Sequence, residues 1–196
     1  MKIVYGRDQK IKGSLTGDFD KDYAFLEAVF ERSGDIVKNP FCIVDFCRAA
    51  AIYVDGMTDA DMVEDFVIRP LLKQKWEEKI SGRELLSYIE NHVMETVDWK
   101  EDETFEDILT DILSGNTLLL LEGCKKAIIL STKKYPSRGV GETQQEMVIR
   151  GPKDSFTENM RINTALIRRR IRDPRLKMEH TMTGERSKTV LAIIYM

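Results

Sequence analysis

Histidine occurs only twice in the 196 residues, at His92 and His180, and cysteine three times, at Cys42, Cys47 and Cys124. His180 follows Glu179, and neighbours in a strand point to opposite faces, so the pair is no chelate. No His/Cys/Asp cluster has ligand spacing, and no metal site or cofactor is expected. The cysteines are odd in number and lack a CxxC spacing, which fits reduced thiols and excludes a disulfide framework. Cys124 reads as a small thiol at a hairpin and not as a nucleophile. Ser131, Ser137, Ser155 and Ser187 lack a Gly-x-Ser-x-Gly context. Gly139-Val140-Gly141 has no following Lys-Ser/Thr, so its glycines read as turn residues. The expected chain is therefore not an enzyme. Long apolar runs are missing too. The longest, residues 190–196, is of strand length, far below the ~20 residues of a spanning helix, and the polar N-terminus holds no signal-peptide core. Read alone, the chain is expected to be soluble. Net charge is only −3, which gives no pull toward nucleic acid.

What is present is an ordinary globular balance, 42% hydrophobic and 32% charged. A chain this long buries roughly 70% of its unfolded surface and needs no staple. Residues 1–19 read as a flexible lead-in. A helix is expected from Asp20, with Phe25, Leu26, Val29 and Phe30 on its apolar face and Gly34 as its C-cap. Residues 41–46 and 49–54 read as buried strands. Thr58 with Asp61 forms a capping box for a helix that Pro70 should end. Residues 81–93 form another amphipathic helix. The stretch 90–111 holds nine acids and one base, Lys100, and reads as a solvated acidic connection. Thr104 with Asp107 caps a helix that Gly115 closes. Residues 118–121 and 127–130 spell a β-hairpin, a polar loop follows, and 147–149 resume as a strand. The expected architecture is α/β, with α+β the alternative, helices packing on a mixed sheet. One complete subdomain, 20–149, is followed by the start of a second, 150–196.

From Arg150 the character changes. Gly151-Pro152 breaks the chain, and Thr157 is placed to cap a helix running to about Ile171. At 100° per residue, Met160, Ile167 and Ile171 share one azimuth, while Ile162 and Leu166 lie nearly opposite. Two stripes imply a helix covered from both sides. Seven basic residues, Arg161 to Lys177, stand against the single acid Asp173. No aromatics interleave with them to stack bases, so the arginines are read as favouring the helix C-terminus and pairing with acids, the 90–111 stretch being a candidate partner. Arg150, Glu158 and Asn159 form a candidate polar cluster at the helix start, with Phe156 as a hydrophobic staple. Two strands, 176–182 and 189–195, follow around Gly184.

The run Arg150-Gly151-Pro152-Lys153-Asp154-Ser155-Phe156-Thr157-Glu158-Asn159, continued by Asn163-Thr164-Ala165-Leu166-Ile167-Arg168-Arg169-Arg170-Ile171, resembles the signature of spore germination receptor A subunits, the GerA family. Leu176 and Ser187-Lys188-Thr189 continue the likeness. Upstream, Ser33-Gly34-Asp35-Ile36-Val37 and Tyr53-Val54-Asp55-Gly56-Met57 also resemble family segments. One departure is Glu142-Thr143-Gln144-Gln145-Glu146, where members commonly carry Glu-Pro-x-x-Glu; losing that proline frees φ at Thr143.

The resemblance implies a receptor module in nutrient sensing and signal transduction that triggers spore germination. It implies other receptor subunits as partners and the spore inner membrane as location, with this portion on the cytoplasmic face. Family members continue into more soluble sequence and membrane helices, so membrane contact would run only through that C-terminal region; a chain ending at Met196 would be soluble. The family-motif and interface candidates are Arg150, Gly151, Pro152, Phe156, Glu158, Asn159, Asn163, Arg168, Arg169 and Arg170. Charge reversal at Arg168 and Arg169 is expected to weaken assembly or signalling without harming the fold. An unpaired sheet edge in 150–196 is expected to promote self-association. The alternative function is a module binding a small, amino-acid-like germinant in a cleft between subdomains.

Overall fold

The structure is a computed structural model that describes residues 11–43, 47–73, 82–92, 98–134 and 155–196. Helix α1 (Phe19–Val29) opens at Asp18, whose side chain accepts from the Lys21 amide. Its second acid, Asp22, is buried and accepts from the Thr16 and Gly17 amides and the Thr16 hydroxyl, which fastens the preceding segment to the helix. The helix ends at Phe30, and Arg32 takes the left-handed φ (+59°), not Gly34 as the sequence led us to expect.

Five strands form one sheet in the order β1-β2-β4-β5-β3. They are β1 (Ile36–Ile43), β2 (Cys47–Val54), β3 (Trp99–Asp102), β4 (Thr117–Leu121) and β5 (Ala127–Leu130), and every pairing is antiparallel. The expected helices-on-sheet architecture is present, in its α+β form. Pro40 lies inside β1, and the sheet tolerates it because β1 is an edge strand with no ladder partner for the missing N–H. The β4–β5 hairpin falls where its apolar runs placed it.

Both faces of the sheet are covered, which explains why β4 and β5 are buried at every position. On one face Ala50, Ile52, Val54, Leu118 and Leu120 meet α1 and α5 (Phe105–Leu113). On the other, Ala49, Leu119, Leu121 and Ile128 meet α3 (Arg69–Lys73) and α4 (Gly82–His92). The alternation of β2 and β4 residues between the two clusters is the period-2 geometry of a strand.

Three local expectations are corrected. The cap of α2 (Ala60–Val63) is Asp59, which accepts from the Met62 amide, while Thr58 donates to the Gly115 carbonyl. Pro70 does not end the helix. A π-helical turn over Glu64–Ile68 precedes it, with the Arg69 amide bonded to the Glu64 carbonyl, and the chain continues through α3. The wider turn shifts the bonding register just where proline lacks a donor. Within the acidic stretch lies β3, where Lys100 bridges Asp102 (3.0 Å) and Asp111 (2.7 Å). The Thr104 cap is as expected, accepting from the Asp107 amide, and Gly115 at φ +94° closes α5.

Cys47 and Cys124 are buried, and burial pushes both thiols up to about 11, so they are packing groups. Cys42 is exposed. Helix α6 (Met160–Arg170) and the antiparallel hairpin β6 (Lys177–Thr183) and β7 (Thr189–Tyr195) complete the chain.

Candidate functional site

The start of α6 is built by its own side chains. Asn159, not Thr157, is the N-cap, accepting from the Arg161 and Ile162 amides. Thr157 and Asn163 form a closed pair: the Thr157 amide donates to Asn163 Oδ1 and Asn163 Nδ2 donates to the Thr157 carbonyl, both at 2.7 Å. A capping carboxamide in the first turn satisfies the amides that a bound anion would otherwise take. Phe156 is 67% exposed, so the expected staple does not form. Glu158 is exposed beside the cap. Arg150, Gly151 and Pro152 lie outside the described residues.

Of the two apolar stripes, the one holding Leu166 (buried) and Ile162 (half-buried) is covered, and Thr164, Ala165 and Arg168 make up the rest of the buried side of α6. Arg161, Ala165 and Arg168 fall within about 60° of one another at 100° per residue and face the five-stranded sheet's end. Ala165 joins the core shared by α1 and α5. Gly56, at φ +77°, lets α6 come close: a Cβ there would stand 3.0 Å from the Arg161 carbonyl and 3.1 Å from Ala165 Cβ. Any larger residue at 56 would meet both a left-handed backbone penalty and a collision with the helix. Beside it, Arg161 Nη2 pairs with Asp55 Oδ1 at 2.5 Å, a half-exposed contact. Met160 and Ile167 are only half-buried and Ile171 is exposed, so that stripe is only partly covered within the described residues.

Arg168 is the largest fully buried side chain, at 0% exposure, and its partner Asp35 is 2% exposed. Nε donates to Asp35 Oδ2 at 2.7 Å and Nη2 to Oδ1 at 3.0 Å, the two-pronged geometry that a guanidinium and a carboxylate share. Nη1 donates to the Asp173 carbonyl and Nη2 also to the Leu176 carbonyl, each at 3.0 Å. One side chain thus ties α6, the turn after it and the start of β6 to residue 35. The expectation that Arg168 pairs within the 90–111 stretch is corrected here. So is the expectation that its charge could be reversed with the fold intact, since two buried like charges would face each other. Arg169 is half-buried and Arg170 exposed.

The hairpin docks on the same ground. The Gly34 amide donates to the Met178 carbonyl (2.8 Å) and the Met178 amide to the Arg32 carbonyl (3.2 Å). A Cβ at Gly34 would stand 3.1 Å from both His180 Nδ1 and the Met178 carbonyl. Lys177 Nζ donates to the carbonyls of Val29 (2.8 Å) and Pro174 (3.2 Å). Its burial, then the nearby Arg168 charge, lowers its pKa. The segments 33–37 and 53–57 and the 159–178 motif, distant in sequence, are one joint. Sequence reasoning quoted those segments but missed their role, because nothing in a one-dimensional pattern pairs Asp35 with Arg168.

A cleft of about 830 Å³ opens between the start of α6 and β7, lined by Glu158, Asn159, Arg161, Ile162, Thr189 and Val190 among others. Among the described residues no group of His, Cys, Asp and Glu could hold a metal ion, and no helix is long and apolar enough to cross a membrane.

The turn between α6 and β6 titrates with acid. Arg175 bonds to the Asp173 carboxylate (Nη2 to Oδ2, 2.6 Å) and holds its pKa below the usual value. A depressed carboxyl contributes stability that is present above its unfolded pKa of about 4 and is lost as pH falls through the folded value. Amide exchange in residues 171–178 should accelerate across that acid window, and Asp173→Asn should abolish that part of the pH dependence. Identical acid profiles for the two proteins would refute the assignment.

Three comparisons bear on identity. The sequence profile described as Bacillus/Clostridium GerA spore germination protein matches residues 24–196. Spore germination protein B1 of Bacillus subtilis (strain 168) is 34% identical over 182 residues, 92% of this chain and 37% of the relative. Spore germination protein GerLA of Bacillus cereus is 30% identical over 150 residues, 76% of this chain and 30% of the relative. The chain therefore spans about a third of the length of such relatives. The crystal structure of the N-terminal domain of the A subunit of the Bacillus megaterium spore germinant receptor GerK3 superposes with a TM-score of 0.74 at 23% identity, covering 95% of this chain and 67% of that one. That fold, the motif residues gathered at the joint and the matched profile agree: the chain belongs to the GerA family of spore germination proteins.

Proposed function

We propose that this chain is a non-enzymatic module of a spore germinant receptor A subunit, acting in the nutrient response that triggers germination. In this reading residues 150–196 begin a second unit, and the joint beneath α6 couples it to the five-stranded unit. The observation that carries the proposal is the convergence of three motif segments on a docking surface instead of a catalytic constellation. Coupling of this kind needs contacts that both units share, and Arg161–Asp55, Arg168–Asp35 and Gly34–Met178 supply them. Partners in this reading are other receptor subunits at the spore inner membrane.

Arg161 and Asp55 offer the clean test because both are partly exposed, so that a reversed charge would still be solvated. In a receptor A subunit carrying this module, Arg161→Asp or Asp55→Arg alone should slow nutrient-triggered germination by about tenfold, as loss of a coupling free energy of 1–3 kcal/mol implies. The double reversal should restore most of the rate. Normal germination in both single variants would sink the coupling role.

Self-association is the second component of the reading. The outer edge of β7 pairs with no strand among the described residues, and Val190, Leu191, Ile193 and Tyr195 on it are exposed, with no charge or proline to blunt the edge. Sedimentation of the 196-residue chain should show concentration-dependent dimers or larger species; a strict monomer at millimolar concentration would refute this.

A small-molecule reading rests on the cleft, where Glu158 and Asn159 of one motif meet Thr189 of another. Titration of amino acids into the labelled chain should then give saturable amide shifts confined to residues 157–162 and 189–190. Absence of such shifts across the common amino acids would leave the cleft a structural groove.

A further inference from the structure

We propose that the Asp35–Arg168 pair is an orientation key: it fixes one docked geometry of the α6–β6 arm on the sheet, contributing direction more than net stability. The inference goes beyond the coupling reading, and it stands or falls on the behaviour of the chain itself.

Only Ala165, Leu166, Leu176 and Met178 are buried apolar residues between 155 and 196. Apolar contact is non-directional, and a surface this small is compatible with several tilts of an eleven-residue helix. The pair is directional. Two N–H···O bonds to Asp35 fix the guanidinium plane, and the bonds to the Asp173 and Leu176 carbonyls fix the exit of the helix relative to that plane. Desolvating two charges offsets most of their attraction, so the net stabilisation from such a pair is small, while loss of one partner is costly. The same desolvation makes partial opening unfavourable: a tilt that stretches the bonds leaves both charges in a low-dielectric site without water. The arm is consequently either seated or released, a two-state element of the sort that coupling between units requires.

Two variants separate a key from a clamp. Asp35→Asn leaves Arg168 buried without a counter-charge, and α6 amides should exchange roughly 100- to 1,000-fold faster. Asp35→Leu with Arg168→Met replaces the pair by apolar groups of similar volume. Spin labels at Glu27→Cys on α1 and Thr181→Cys on β6, both exposed positions, in a Cys42→Ser background report arm orientation by pulsed electron–electron resonance. The parent chain should give one narrow distance distribution. The apolar double variant should recover most of the thermal stability lost in Asp35→Asn and yet give a broadened or multiple distribution. A double variant with the parent's narrow distribution would show that packing alone sets the orientation. A double variant as unstable as Asp35→Asn would show that the pair is an energetic clamp. Either result overturns the proposal.

Discussion

A guanidinium without solvent exposure is the constraint on which the C-terminal third of this structure depends. Arg168 cannot be buried unless its N–H donors find acceptors, and four bonds supply them, two to Asp35 and one to each of two carbonyls of the following turn. From that requirement much else follows. Asp35 must sit directly after the Ser33–Gly34 approach to β6, and the turn 173–176 must fold back under α6. Lys177, drawn into the same region, sends its ammonium to the Val29 and Pro174 carbonyls.

The two glycines at the joint belong to the same constraint. Gly56 lets α6 approach the turn after β2, and Gly34 lets His180 and Met178 approach the segment before β1. Close approach brings Arg168 within reach of Asp35. A motif that in sequence looks like three arginines in a row is, in space, three different environments: buried at 168, half-buried at 169 and exposed at 170. Helical rotation of 100° per residue guarantees that divergence, since adjacent positions never share a face.

Legibility in the sequence tracked the kind of force involved. Helix α5 buries Phe105, Ile108, Leu109, Ile112 and Leu113, and its period and Thr104 cap announce it plainly. The 118–121 and 127–130 runs likewise gave the central hairpin, since strands covered on both faces must be apolar throughout. Pattern reading failed where polar groups are structural. Strand β3 has only Trp99 to mark it among acids, and it is held by pairing with β5 and by lysine bridges. The docking side of α6 reads Arg–Ala–Arg, which no hydrophobicity plot selects, so Met160 and Ile171 were expected inside when Arg168 was. Local capping was also misjudged by one or two residues, at Thr58 against Asp59 and at Thr157 against Asn159, because several side chains near a helix start compete for the same amides.

The contrast between α5 and α6 states what the fold does with each kind of interaction. Five buried apolar side chains at about 1.5–3 kcal/mol each give α5 on the order of 10 kcal/mol of transfer free energy, ample to hold it against the sheet. Helix α6 buries Ala165 and Leu166 and little else apolar, so the same accounting gives it a few kcal/mol at most. A helix held that weakly by surface area would be a poor rigid body unless something else chose its position. The buried pair supplies the choice without supplying much free energy, which leaves the arm well placed and still releasable. Stability resides in the sheet and its four covering helical segments, and geometry resides in the joint. That division is what a module must have if one part is to move relative to another without unfolding either.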